Sequence, residues 1–163
     1  MRSLFTQLAA TQQQFCTLIL TALLSLISVQ AHAEQTTFEK FGSKPGLVLI
    51  VDDMMLNLIA APLTKPFFDN PKKDFIKFML VEQFCDLLDG GCKYSGRDMK
   101  TTHANFKIGR AEFNSLVESL QIAMDKHAVP FTAQNQLLAK LAPMYRDVEA
   151  GNGPAPASGT NAK

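Results

Sequence analysis

Tyr94-Ser-Gly-Arg-Asp-Met-Lys-Thr-Thr-His103 is a short polar, glycine-containing connection that runs into one helical turn. The turn ends on an imidazole. A histidine held on a rigid element and oriented by its neighbours suits an axial ligand to a metal. Outside residues 1–33 the chain has only one other histidine, His127. His127 falls near the end of a helical pattern, where the helix dipole favours a partly charged ring, and is read as structural.

Outward from this run, the chain of 163 residues divides into three parts. Met1 to Ala33 reads as a secretory signal peptide. Arg2 supplies the positive charge, Cys16 to Val29 the apolar segment, and Ala31-His-Ala33 a small-x-small cleavage pattern. The rival reading is a membrane anchor, but the apolar run falls short of the roughly 20 residues a spanning helix needs. Cys16 lacks a preceding lipoprotein-type pattern, so no lipid anchor is expected. Residues 34–149 form one domain able to bury a real core. Residues 150–163, rich in Gly, Ala, Pro and Ser, read as a disordered tail. The expected protein is exported, periplasmic, and has no stable membrane anchor after cleavage.

Beyond Ala33 the basic and acidic residues balance, so nothing points to nucleic acid or an anionic membrane surface as partner. Tryptophan is absent, while phenylalanine and methionine are plentiful. Such side chains line apolar pockets well, and they also fill ordinary cores. Cys85 and Cys92 flank a chain reversal. An oxidising compartment would allow them to pair, and two separate thiols are the alternative. A Cys/Cys metal site lacks a second pair or a nearby histidine.

Helical signals dominate, and the class is all-α with four longer helices and several short turns. Phe38 to Phe41 fits a single turn. Ser43 and Pro45 mark a start, and Leu47 to Ala61 reads as a helix closed by Pro62, although its Leu-Val-Leu-Ile-Val opening is β-like. Thr64 to Asn70 reads as a linker carrying Phe67 and Phe68. Asn70-Pro71 starts the next helix, which runs to about Leu88 with Ile76, Leu80, Phe84 and Leu87 in one stripe. Asp89-Gly-Gly91 stops it, and Arg97 to Ala104 spans about two turns. Ala111 to Ala128 is amphipathic, with Phe113, Leu116, Val117, Leu120 and Met124 on one face. Thr132 is the expected cap of the last helix, whose buried stripe is Leu137, Leu141, Met144 and Val148. Pro143 inside that pattern predicts a kink.

From Thr37 to about Val148 the chain resembles a group 1 truncated haemoglobin, a shortened bacterial globin. The residues that carry the likeness are Gly90-Gly-Cys-Lys-Tyr-Ser-Gly-Arg-Asp-Met-Lys-Thr-Thr-His103 and Phe106-Lys-Ile-Gly-Arg-Ala-Glu-Phe113. The family has a Gly-Gly loop, a Tyr-(Thr/Ser)-Gly-Arg-x-Met-Lys-x-x-His run, then an Ile and a Phe at these spacings. Phe67-Phe68 stands where the family places its aromatic pair, and no gap is needed between Asp52 and His103. The resemblance implies a two-over-two helical sandwich around haem, with His103 as the proximal iron ligand. It implies that Phe68 stacks on the porphyrin and that Met99, Ile108, Phe113 and Val117 line the proximal side. Arg97 and Lys100 would meet the propionates. Met55, Ile76, Leu80 and Phe84 would shape the distal cavity.

Departures from the family bear on function. Members that hold oxygen tightly place a tyrosine on the second helix and a polar residue on the distal helix. In register those positions are Met55, Ile76 and Leu80, none of which donates a hydrogen bond. Bound oxygen is normally stabilised by such a donor. The expected function is therefore reversible binding of diatomic gases (O2, NO, CO) with weak discrimination in favour of oxygen. The enzyme-class alternative is a haem redox protein, nitric oxide dioxygenase-like, peroxidase-like or electron-transferring, acting with a redox partner. Peroxide chemistry would want a distal acid–base residue, and none is evident. Met55 or Met79 as a sixth iron ligand is a further possibility, against the simpler reading that both wall the cavity. A non-haem interaction domain that keeps the fold is the third reading. The family's Gly-Gly pair before the second helix is replaced by Gly42-Ser43, which leaves the turn geometry there open.

Overall fold

The computed structural model describes residues 34–150. The expected signal peptide over 1–33 and the expected tail beyond Ala150 lie outside the described residues. Among the described residues every regular element is helical. They are α1 (Thr37–Lys40), α2 (Ser43–Ala60), α3 (Lys65–Phe68), α4 (Lys73–Leu87), α5 (Met99–Thr102), α6 (Arg110–Lys126), α7 (Phe131–Leu141), a 3-10 turn (Ala142–Met144) and α8 (Tyr145–Ala150).

Local chemistry sets most of these boundaries. Thr36 and Glu39 form a capping box that starts α1. The chain then passes through left-handed conformations at Gly42 (φ 76°) and Ser43 (φ 55°). Ser43 takes this shape despite carrying a side chain, a strain of about 1 kcal/mol. A Cβ at Gly46 would collide with the Phe41 carbonyl, so glycine is required where the first turn of α2 passes α1. Helix α2 begins at Ser43, the start that Ser43 and Pro45 mark, and its β-like opening is helical. Leu47, Ile50, Val51, Met54 and Leu58 recur at helical spacing and are fully buried, so packing overrides the β-branched preference. Pro62 forces Ala61 into extended backbone (φ −78°, ψ 126°) and stops the helix. The buried Thr64 hydroxyl donates to the Leu58 carbonyl at 2.7 Å, satisfying a helix end.

Five expectations need correction. Thr64 to Asn70 is more than a linker: Lys65–Phe68 forms a helical turn, helped by Pro66 near its start. Arg97 to Ala104 holds one turn instead of two. The Asp98 side chain caps it, accepting from the Thr101 amide at 2.8 Å, and left-handed Asn105 and Lys107 end it. The last long helix is preceded by Pro130, not capped by Thr132; the Pro130 carbonyl accepts from Ala133 and Gln134. On α4 the fully buried face is Val81, Phe84, Cys85 and Leu88, while Ile76, Leu80 and Leu87 are half-buried on the adjacent face. The start of α4 also needs correction: Lys72, not Asn70, is its N-cap, and the Asn70 side chain instead accepts from the Lys72 amide at 2.8 Å in the turn just before the helix. Pro143 breaks the C-terminal pattern as expected, giving the 3-10 turn between α7 and α8.

Helix α2 is the centre of the domain. It packs against α4 on one side and α6 on another, while α7 closes the core against α4 and α6. Phe41, Leu47, Met54, Phe84, Leu120 and Leu137 are among the fully buried side chains that join these layers. A polar clasp crosses from α2 to the end of α6: Asp53 accepts from Lys126 at 2.6 Å and contacts His127 at 2.7 Å. His127 caps α6, in keeping with a structural role. Cys85 and Cys92 form a disulfide that ties the end of α4 to the following loop, with Cα atoms 5.6 Å apart.

Opening that disulfide is expected to destabilise the domain by about 2 kcal/mol, through the freedom regained by the unfolded chain. Urea unfolding of the protein and of Cys92→Ser would measure it; equal midpoints would refute it. The hydrogen bonds from Lys126 and His127 hold the Asp53 carboxyl below its ordinary range. Its contribution is therefore present at neutral pH and is lost as pH falls through the lowered folded value. Asp53→Asn should cost at most about 1 kcal/mol at pH 7. That difference should shrink toward zero below about pH 4, as read by thermal melts across pH.

Candidate functional site

His103 is the C-cap of α5, half-buried, at the point where the helical turn ends. Its Nδ1 lies 2.7 Å from the carbonyl oxygen of Met99, one turn back. A carbonyl can only accept, so Nδ1 carries the proton and Nε2 is left with a lone pair. Among the described residues none hydrogen-bonds Nε2. A metal-binding imidazole uses this tautomer, with its other N–H donated to a carbonyl in this way. No group of three or more His, Cys, Asp or Glu side chains is placed to hold a metal ion, among the described residues.

Helix α4 pins the segment that carries this histidine, residue by residue. The disulfide fixes Cys92 to Cys85. The Tyr94 amide donates to Asp86 at 3.3 Å. The Ser95 amide and hydroxyl both donate to Glu82, at 2.9 and 2.6 Å. Those two bonds hold the Glu82 carboxyl below its ordinary range. The Gln83 side-chain amide then reaches the Met99 sulfur at 3.6 Å and the Met144 sulfur at 3.5 Å. Three of these anchors, Glu82, Gln83 and Asp86, are polar side chains that the stripe of apolar residues does not reveal. Gln83 does have a sequence signal: it lies at i+7 from Ile76 and i+3 from Leu80, on their face of the helix.

The other expected site residues occupy α2 to α6. Met55 is buried on α2, and Phe84 is buried in the main core on α4. Phe68 on α3 and Leu80 on α4 are half-buried and pack against the edge of that core. Ile76 and Met79 on α4, Met99 on α5, Ile108 before α6, and Phe113 and Val117 on α6 are all half-buried. These partly exposed apolar side chains on α4, α5 and α6 are available to pack against an apolar ligand. Phe113 meets Tyr145 of α8 edge-on, with centroids 5.0 Å apart, and Arg110 lies 5.7 Å over the same tyrosine ring. Phe67 makes an edge contact with Phe106. Arg97, just before α5, and Lys100, within it, are exposed cations able to meet an anionic group. A separate open cleft of ≈ 380 Å³, lined by Lys40, Gly46, His127 and Pro130 among others, involves none of these residues.

Comparison with known proteins gives the family and the fold. Residues 36–150 match the bacterial-like globin family, and the chain belongs to that family. The fold is the two-over-two truncated haemoglobin sandwich. The truncated haemoglobin of Tetrahymena pyriformis in its Fe(III) form superposes with a TM-score of 0.66 at 22% identity, covering 70% of this chain and 97% of that one. The 2/2 haemoglobin of Synechococcus sp. PCC 7002, in the cyanomet state with covalently attached haem, gives 0.65 at 18% identity, covering 71% and 98%. Membership in the globin family identifies the cofactor as haem, and the oriented imidazole of His103 together with the half-buried apolar side chains of α4, α5 and α6 suits it.

Proposed function

We propose that this protein is an exported, group 1-like truncated haemoglobin that reversibly binds diatomic gases at an iron held by His103. The observation that carries the reading is the 2.7 Å contact between His103 Nδ1 and the Met99 carbonyl. It fixes the ring and leaves Nε2 as the coordinating nitrogen. Haem, when bound, supplies an iron with one open position for a small ligand. Phe68 offers a flat aromatic wall to the porphyrin, and Met99, Ile108, Phe113 and Val117 line the side of His103. Arg97 and Lys100 pair with the propionates from solvent. Export rests on the sequence of residues 1–33 and is supported by the disulfide, a bond that persists in oxidising compartments.

Above the metal, the three positions that carry donors in oxygen-retaining relatives are Met55, Ile76 and Leu80. Their side chains exclude water and give no N–H or O–H. A charge-assisted hydrogen bond to the ligand would contribute about 1.5–3 kcal/mol. Without it, oxygen is held weakly, while carbon monoxide and nitric oxide depend less on a donor.

Optical titration of the apoprotein with haemin should give tight, one-to-one uptake. His103→Ala should lose the axial-histidine spectrum while circular dichroism keeps its helix signal. Unchanged haem spectra in the variant would refute the ligand assignment. Leu80→Gln is expected to slow oxygen dissociation from the ferrous protein by roughly 10- to 100-fold, the kinetic equivalent of that hydrogen bond. Stopped-flow measurement reads this directly. Slow release already present in the unaltered protein would contradict a donor-free chamber.

A further inference from the structure

Gln83 is the one buried polar side chain of α4 that the gas-binding reading leaves without a role. It is only 8% exposed. Its amide nitrogen has two N–H donors, and two sulfurs stand within reach, Met99 at 3.6 Å and Met144 at 3.5 Å. Thioethers are weak acceptors, so these bonds recover only part of what the amide gives up on leaving water. Stability alone would favour leucine at this position. The contacts are instead notable for what they join. One nitrogen links α4 to α5 through Met99 and to the 3-10 turn through Met144. Helices α5 and α8 pack against each other around the same point.

Met99 is the residue that orients His103. Its carbonyl accepts both the ring Nδ1, at 2.7 Å, and the backbone amide of His103, at 3.0 Å. Anchoring the Met99 side chain therefore fixes the peptide that holds the imidazole. Asp86 and Glu82, the neighbouring polar anchors on α4, hold Tyr94 and Ser95, several residues before α5. We infer that Gln83 is a positioning residue for His103, acting through the Met99 sulfur and carbonyl to set the orientation and basicity of the proximal imidazole. This rests on His103 being the iron ligand. Strengthening the Nδ1 hydrogen bond raises the basicity of the coordinating nitrogen, and loosening it lowers that basicity.

The test is resonance Raman spectroscopy of the full chain, haem-loaded and ferrous, reading the iron–histidine stretch. Gln83→Leu is expected to move that band to lower frequency. Met99→Leu, a swap of similar volume that keeps the carbonyl but removes the sulfur, should move it the same way. The double variant should show no further shift, because both changes cut one path. Leu87→Ala, on the same helix but outside the path, should lower stability and leave the band in place. Met99→Leu carries the test alone if Gln83→Leu takes up no haem. A wild-type band that neither variant moves, or shifts that add in the double variant, would overturn the relay while leaving His103 as ligand. A wild type with no iron–histidine band would overturn the ligand assignment itself, and the relay with it.

Discussion

One hydrogen bond fixes the orientation of the His103 side chain: its Nδ1 donates to the carbonyl of Met99. A free histidine interconverts between tautomers and rotates about two bonds. Held at the C-cap of a four-residue helix, with its proton committed to a carbonyl one turn back, it presents a single lone pair in a single direction. A helix that short has no stability of its own. Its geometry is imposed by α4, which grips the preceding loop through a disulfide, two carboxylates and a carboxamide. The rigid element under the imidazole is thus borrowed from the longest-range scaffold available, the α2–α4–α6 core.

That division of labour explains why burial varies so sharply across the domain. Leu47, Met54, Leu58, Leu120 and Met124 have no exposed surface, as interiors packed like organic crystals require. The apolar residues around His103 stop at half-burial.

Much of this was legible from the residues alone. The spacing of Leu47, Ile50, Val51, Met54 and Leu58 and the Pro62 and Pro143 stops act through short-range physical causes and shape the helices as expected, while the Asn70-Pro71 signal falls two to three residues short of the first helical residue, Lys73. The run ending at His103 is specific enough to place the chain in its family. Other features depend on contacts distant in sequence and stayed hidden. The Leu-Val-Leu-Ile-Val segment looks β-like until α4 and α6 pack on it. Thr132 is a good capping residue, but Pro130 fixes the backbone two residues earlier. Gln83 reads as a polar interruption of a stripe, and only the positions of Met99 and Met144 show what its amide meets. The pairing of Cys85 with Cys92 needed the path of the loop between them.

Where the iron sits decides whether His103 is its ligand. Crystals of the haem-loaded protein, with anomalous scattering recorded at the iron edge, would locate the metal without assumption. The expected result is one peak within bonding distance of His103 Nε2, between α4 and α5, with the Met99 carbonyl still on Nδ1. An iron peak beside any other residue, or His103 turned away from the macrocycle, would contradict it.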